Sequence, residues 1–372
     1  MSKRRRQVRL GIVGIGGMGG HHIKLLRDRK VRRVKLAAVC DLNAEFLARY
    51  PDVAPFTDVR AMCRSGLIDA VIIATPHYAH TPVALQAFKC GMHVLSEKPL
   101  AVHKADAEKM VKACPRNRKF AVMMQMRMSP TFRKVKDIVD AGQLGRIIRV
   151  NMMATHWYRT NKYYALGGWR ATWKGEGGGV LINQCPHDLD ILQWICGMPT
   201  RIHAHCGFGK WHKLEVEDEA TAFLEYANGA TGVFIASTAE APGTQRFEIA
   251  GEHGKVLLEN DQLRFLRNDV SALKFIKTSK TAFAAPETRD VTVSVRGRDK
   301  GHAGIIQNFV DSILDGVPLI APAREAINQV ELTNAMIYSG ATGIPVDLPL
   351  SGRTYKRFLD DLISGRIKPG RS

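Results

Sequence analysis

The sequence has no apolar run approaching the roughly 18 residues of a bilayer span; its longest are short, such as Ala70 to Ala74. Internal repeats, low-complexity linkers and coiled-coil heptads are absent too. With 45% hydrophobic and 24% charged residues among 372, the composition excludes a disordered or collagen-like chain. Cysteine is scarce. The seven residues (Cys40, Cys63, Cys90, Cys114, Cys185, Cys196, Cys206) are odd in number, form no CxxC pair and fall mostly in apolar segments, as reduced thiols of a cytoplasmic protein would. Arg4 to Arg6 lack the apolar core and cleavage site that would make them an export signal, so an untargeted N-terminus is expected. Acidic residues are outnumbered 35 to 54, giving a net charge of +19. No basic block dominates: Lys3, Arg4, Arg5, Arg6 and Arg9, the stretches 27–35, 116–119 and 133–136, and Arg353, Lys356, Arg357, Arg366, Lys368 and Arg371 share it. Dispersed charge reads as solvated surface, so neither a membrane nor a nucleic-acid partner is expected.

What is present is a change of rhythm. Short apolar runs at Val8 to Val13, Lys35 to Cys40, Ala70 to Ala74, His93 to Ser96 and Phe120 to Met124 alternate with amphipathic stretches at Gly17 to Asp28, Val59 to Ser65, Thr81 to Cys90 and His103 to Ala113. That alternation predicts a parallel sheet with crossover helices. Beyond a helix at Thr131 to Ala141, a strand at Ile147 to Ala154 and a helix at Val180 to Cys196, period-2 runs take over. They are Thr200 to Cys206, Thr221 to Tyr226, Ala230 to Ser237, Thr244 to Ala250, Lys255 to Glu259 and Gln262 to Leu266, with a hairpin signal at Asn228-Gly229. Late helices are expected at Ile305 to Leu314 and Ala323 to Ser339. The fold class is α/β: an N-terminal parallel-sheet domain over residues 1–125, then a second domain over 126–372. Its large, mostly antiparallel sheet is open on one face.

Gly14-Ile15-Gly16-Gly17-Met18-Gly19 is a GxGxxG pattern between a strand and a helix, and Asp41 ends the next strand. Gly14 permits the tight turn, Gly16 lets a pyrophosphate approach the backbone, and Gly19 lets helix and strand pack. Asp41 suits the ribose hydroxyls and repels a 2′-phosphate, with no cation at Leu42 or Asn43 to relieve the repulsion. NAD is favoured over NADP. Glu97-Lys98-Pro99 follows the strand His93 to Ser96, where doubly wound folds bind ligands, and Pro99 restricts the backbone of Lys98. A buried lysine or a histidine in such a site can be tuned to take the proton of an alcohol.

Thr75-Pro76 with His80, and Gly91 through Glu97-Lys98-Pro99-Leu100, together resemble the signature of the Gfo/Idh/MocA oxidoreductases. The match continues through Gln125, Arg127, Pro130, Trp169-Arg170 and Gly177-Gly178-Gly179 to His187, Asp190 and Gly197. The resemblance implies an N-terminal Rossmann NAD-binding domain over 1–125, a C-terminal substrate-binding and oligomerisation domain over 126–372, NAD(P) as cofactor and the oxidation or reduction of a hydroxyl on a sugar, cyclitol or similar polyol, in a homodimer or homotetramer paired through the open sheet. It implies that Lys98 and His187 are catalytic and that Thr75, Pro76, His77, His80 and Glu97 lie with the glycines, Met18 and Asp41 at the cofactor. Arg127, Trp169 and Arg170 are expected at the substrate. Asn183 stands where the family commonly has aspartate; it can orient substrate but not carry a proton. Helical spacing puts Asn183, His187 and Asp190 on one face and Asp188 elsewhere, although Pro186 should bend such a helix.

His156 to Glu176 is a long irregular segment holding six aromatics (Trp157, Tyr158, Tyr163, Tyr164, Trp169, Trp173), several times an even share. Their rings would suit a pyranose, with Trp157 and Tyr158 foremost; packing of the loop on its own domain is the alternative. His21 and His22 are expected at the surface. Strand alternation puts Cys206 opposite His203 and His205, so no metal site is expected. Besides the dehydrogenase, two readings stay open: an NAD-dependent glycoside hydrolase working by transient oxidation and elimination, and a non-enzymatic dinucleotide-sensing regulator.

Overall fold

The computed structural model describes residues 7–370; among the basic residues above, Lys3, Arg4, Arg5, Arg6 and Arg371 lie outside the described residues. The chain divides into two compact units.

The first unit is built on β1 (Val8–Val13), α1 (Gly17–Arg27), β2 (Val34–Cys40), α2 (Ala44–Ala48), β3 (Ala54–Phe56), α3 (Val59–Arg64), β4 (Ala70–Ile73), α4 (His77–Lys89), β5 (His93–Ser96), α5 (Lys104–Ala113) and β6 (Phe120–Val122). The six strands pair in parallel in the order β3-β2-β1-β4-β5-β6. Strand order reverses between β1 and β4, which opens a crevice beyond the carboxyl ends. Helices on both faces explain why the central strands are mostly apolar: Leu10, Ile12, Val71, Ile72 and Leu95 are fully buried. α2 and β3 were not expected, being too short to carry a period; Asn43 and Asp58 cap α2 and α3 through the N–H groups of Glu45 and Ala61.

The unit boundary departs from the division at residue 125. The first unit runs to Met128 and takes back Gly175–Gly177 and Lys300–Val330. The reason is burial. A helix over Gly301–Asp315 places Ile305, Ile306, Phe309 and Val310 in the same core as β1, β4 and β5, and Val122 N–H donates to Ala321.

The second unit carries α6 (Pro130–Asp140), β7 (Ile147–Ala154), α7 (Asn161–Tyr164), α8 (Val180–Asn183), α9 (Pro186–Cys196), β8 (Arg201–Phe208), β9 (Glu217–Glu225), β10 (Thr231–Ser237), β11 (Gln245–Gly251), β12 (Gly254–Glu259), β13 (Gln262–Asn268), β14 (Thr288–Val291) and β15 (Val346–Asp347). Its nine strands run β14-β13-β12-β11-β7-β10-β9-β8-β15, antiparallel except for the β7–β10 pair. Gly229, at φ +83°, closes the β9–β10 hairpin. Alternation is clean in β8, where Ile202, Ala204 and Cys206 are buried and Arg201, His203 and His205 exposed, so one face is packed and the other open.

Candidate active site

In the first unit Gly14, Gly16, Asp41, Thr75, Pro76, Glu97 and Lys98 lie in the turns that follow β1, β2, β4 and β5, while His77 and His80 lie in the first two turns of α4. Gly14, at φ +79°, donates its N–H to Cys40 at 2.8 Å. A Cβ at Gly14 would lie 2.7 Å from the Ala74 carbonyl oxygen, and one at Gly19 only 1.9 Å from that of Gly14. The protein's own backbone therefore requires these two glycines. Gly16 and Gly17 differ, because the nearest atom to a Cβ at Gly16 is in Phe46 at 3.8 Å and Gly17 has none within 4 Å. Their smallness leaves room for something other than protein. Gly16 also caps α1 with no side-chain hydrogen bond, and the first N–H groups of a helix attract an anion. Met18, 41% exposed, flanks the same turn. These observations fit the pyrophosphate of a dinucleotide.

Asp41 accepts hydrogen bonds from Ile15 N–H at 2.8 Å and Asn43 N–H at 2.9 Å, so its carboxylate is fixed beside the glycine turn with lone pairs left over. Asp41→Ala is expected to lower the NAD/NADP ratio of kcat/KM at least about tenfold, since it removes both ribose acceptor and repelling charge. Unchanged selectivity in steady-state kinetics would take Asp41 out of cofactor recognition.

Thr75 Oγ1, buried without a hydrogen-bond partner at the start of the turn after β4, is an atom a ligand could satisfy. Pro76 caps α4, and His77 is buried with Nδ1 3.1 Å from the Glu176 carbonyl. His80 departs from the expected cofactor contact: its ring nitrogens lie 2.8 Å from the carbonyl oxygen of Pro99 and 2.9 Å from that of Thr75. Burial pushes its pKa down against the pull of these carbonyls. His80 thus ties the end of β4 to the turn that carries Lys98, a positioning role. Glu97 is buried. Its carboxylate meets His22 Nε2 at 2.7 Å and accepts from the backbone N–H of Lys98 at 3.1 Å. Burial alone would raise the Glu97 carboxyl, but the His22 hydrogen bond and the fields of His22, His302 and Lys98 hold it down to about 2.

His22 is a correction to the surface expectation: it is fully buried, while His21 beside it is exposed. The ring of His302 lies 5.0 Å from that of His21 and 5.7 Å from that of His22. Only folding reveals this grouping, since His302 is some 200 residues from Glu97. Burial pushes His302 down to about 4 from 6.5. The unfolded chain therefore binds this proton first, and the His302 contribution to stability should be flat above about pH 6.5 and fall by at most about 3 kcal/mol on descending to pH 4. The Glu97 contribution, present above about 4.5, is lost only below that window. Urea midpoints of the native protein and His302→Gln across pH 4 to 7 test this; parallel curves would remove His302 as the cause.

Arg127 is a second correction. It is 1% exposed in the first unit, with Nη1 donating to the Ile320 carbonyl at 3.1 Å and pairing with Glu325 at 2.5 Å. That pairing is a structural post, and a guanidinium so enclosed is not offered to substrate.

In the second unit the expected single helix is two. α8 ends at Asn183, the chain turns through Gln184 and Cys185, and α9 begins with Pro186 at its first position, where a missing N–H is harmless. The predicted common face of Asn183, His187 and Asp190 is therefore not a continuous helix face. His187, second in α9, is 5% exposed. Asp188, expected to point elsewhere, is buried and accepts from Trp157 Nε1–H at 3.1 Å. Asp190 accepts from Gln193 at 3.1 Å. The Gly177–Gly179 run has a steric reason at its last residue, where a Cβ would lie 1.9 Å from the Glu217 carbonyl oxygen. Glu217, which the sequence did not single out, caps α8 by accepting from the N–H groups of Gly179 and Leu181.

The aromatic segment divides. Trp173 is core against Phe208, and Tyr164 meets the His212 ring edge to face and donates to Thr238, so for these two the packing alternative holds. Tyr158 is 51% exposed, and Trp157, Tyr163, Trp169 and Arg170 are half-buried. Arg170 lies over the rings of Tyr163 and Trp169 and donates to the Tyr163 hydroxyl at 2.9 Å.

Comparison with known proteins matches the two parts of the chain separately. Residues 8–125 match the model of the oxidoreductase family with an NAD-binding Rossmann fold, and residues 132–257 that of the GFO/IDH/MocA C-terminal domain. The chain is 28% identical over 231 residues to a 1-carboxy-3-chloro-3,4-dihydroxycyclohexa-1,5-diene dehydrogenase of Comamonas testosteroni, spanning 60% of this chain and only about half, 56%, of that one. It is 25% identical to the NAD(+)-dependent scyllo-inositol 2-dehydrogenase of Bacillus subtilis over 92% of this chain and 96% of that one. Among solved structures, the WlbA dehydrogenase of Bordetella pertussis, in complex with NADH and UDP-GlcNAcA, superposes with a TM-score of 0.77 at 27% identity, covering 93% of this chain and 100% of the other. Among the described residues no helix is long and apolar enough to cross a membrane. With an NAD-binding Rossmann unit and a mostly antiparallel second sheet both matched, the chain belongs to the Gfo/Idh/MocA oxidoreductase family.

Proposed function

We propose that this chain is an NAD-dependent dehydrogenase acting on a ring hydroxyl of a sugar, glycoside or cyclitol. The observation that carries the reading is the fixing of Lys98: Glu97 holds its backbone N–H, His22 holds Glu97, and His80 holds the carbonyl of Pro99, all beyond the end of β5 in the unit with the glycine turn. Three side chains spent on one lysine suit a reacting group. NAD, when bound, supplies a pyridinium ring that accepts hydride from a carbinol carbon and returns it in the reverse direction. The hydroxyl proton is left to the protein. Lys98 and His187 are its proposed carriers, the ammonium polarising the oxygen and the imidazole taking the proton, with Asn183 orienting the hydroxyl by hydrogen bonds.

In this reading the first unit holds NAD, while Trp157, Tyr158, Trp169 and Arg170 of the second serve the substrate. The open sheet face, where Phe223 is 41% exposed on β9 near His203 and His205 of β8, pairs subunits in a homodimer or homotetramer. Seven free thiols support a cytoplasmic location. That relatives are named dehydrogenases of a cyclitol and of a ring diol supports the substrate class. The test is to assay the purified protein for bound NAD(H) by absorbance and fluorescence, then screen sugars, cyclitols and glycosides for NADH formation. NADH formed from at least one ring alcohol is expected; glycoside cleavage with no net NADH would replace the reading with the hydrolase.

A further inference from the structure

We infer that the substrate carries an anionic group, a carboxylate or a phosphate, and that Arg159 holds it; this deepens the dehydrogenase reading and rests on it. The first observation is charge. From 141 to 175 the chain has no Asp or Glu, yet it contains Arg146, Arg149, Arg159, Lys162, Arg170 and Lys174. Arg9, Arg33, Arg127, Arg246 and Arg264 each pair with a carboxylate elsewhere in the protein, but this stretch supplies none of its own.

The second is the state of Arg159. It is half-buried, and its guanidinium lies over the Trp157 ring at 5.5 Å and the Tyr163 ring at 4.9 Å. Its Nη1 donates only to the neighbouring Tyr158 carbonyl, and its Nε is buried with no hydrogen-bond partner. No carboxylate pairs with it among the described residues. Asp218, the acidic residue of the adjoining hairpin, is saturated by the N–H groups of Lys210, Trp211 and His212 and by the His212 ring. A buried guanidinium donor left unmatched is costly, whereas a planar fork between aromatic walls matches an oxyanion.

The third is position. Trp157, under Arg159, is hydrogen-bonded to Asp188, the residue after His187. Tyr163, on its other side, receives a hydrogen bond from Gln184, the residue after Asn183. The two rings flanking the unpaired arginine are thus anchored at Gln184 and Asp188, each next in sequence to a proposed substrate-handling residue of α8 or α9. Its backbone is pinned as well: Arg159 N–H donates to Thr238, and His212 Nε2 lies 3.0 Å from the Arg159 carbonyl. The guanidinium is therefore preorganised beside the place where the ring alcohol is handled.

Matched probes test the inference: D-glucose, D-glucuronate and D-glucose 6-phosphate, and the corresponding galactose set. Each is assayed for turnover with NAD and titrated calorimetrically into the NADH-loaded protein. An anionic member should exceed its neutral parent at least about 30-fold in kcat/KM or affinity, with the excess shrinking as salt rises. Arg159→Gln should cut that excess at least about tenfold, and Arg159→Lys, which keeps the charge but not the fork, should restore part of it. Preference for the uronates assigns a carboxylate and preference for the 6-phosphates a phosphate. Neutral sugars used as well as anionic ones, no binding of any anionic probe, or an unchanged excess in folded Arg159→Gln would each overturn the inference. Anion binding that depends on Arg159 but comes without turnover of any ring alcohol would instead count against the dehydrogenase reading.

Discussion

Replacing Lys98 by methionine is expected to lower kcat by about 10²–10⁴-fold and leave NADH binding within about threefold of native, the range that general acid–base groups supply. Methionine keeps the length of the stem and removes only the ammonium. The surroundings argue that the fold will tolerate it. Glu97 reaches the backbone N–H of Lys98 rather than its side chain, and the His22–Glu97 bond does not involve Lys98. Thermal melting should therefore move little while turnover collapses. Lys98→Arg separates the two jobs of the ammonium, because arginine keeps the charge but never gives up a proton near neutral pH. If Lys98 only polarises the hydroxyl, the arginine variant should recover part of the loss; if it carries the proton, it should not. A methionine variant that keeps more than about a tenth of native turnover would remove Lys98 from the chemistry.

The backbone of this argument was readable from sequence for a physical reason. In β1, β4 and β5 the residues covered by helices on both faces are apolar, such as Leu10, Ile12, Ile72 and Leu95, and the glycine turn must contain Gly14 and Gly19 because backbone passes within 3 Å of where a Cβ would be. Such local demands leave unmistakable patterns. The groups that orient the site left none. Glu97 meets His22 across 75 positions, His302 joins them from a helix that returns after eight of the nine strands of the second sheet, and Glu217 reaches back to cap α8. Each partner looks like surface until the chain is folded. Helical spacing misled in a different way. Asn183 and His187 are four apart, but Pro186 starts a new helix between them, so the period of one helix did not apply. Arg127 misled through its place in a family pattern, while its actual partners, Ile320 and Glu325, lie nearly 200 residues on.

His187→Gln should lower kcat/KM by about 10²–10³-fold near neutral pH and abolish the limb of the pH–rate profile that reports the base. Glutamine fills nearly the same volume and can still hydrogen-bond, so the loss would belong to proton transfer and not to shape. The neighbours are independently anchored: Asp188 keeps its bond from Trp157, Asp190 keeps Gln193, and Pro186 fixes the start of α9. The variant should therefore melt within a few degrees of the native protein. A merely structural histidine would give the same fall in rate if the helix start were disturbed, so the decisive readout is different. Free imidazole added to His187→Ala should restore activity in proportion to its unprotonated fraction, because the small cavity left at a 5%-exposed site admits a base of the missing shape. Asn183 offers no substitute, since an amide does not take up the proton, and Lys98 remains in both variants. A native-like pH profile in His187→Gln, or no rescue of His187→Ala by imidazole, would leave Lys98 as the sole proton carrier and reduce His187 to a support for α9.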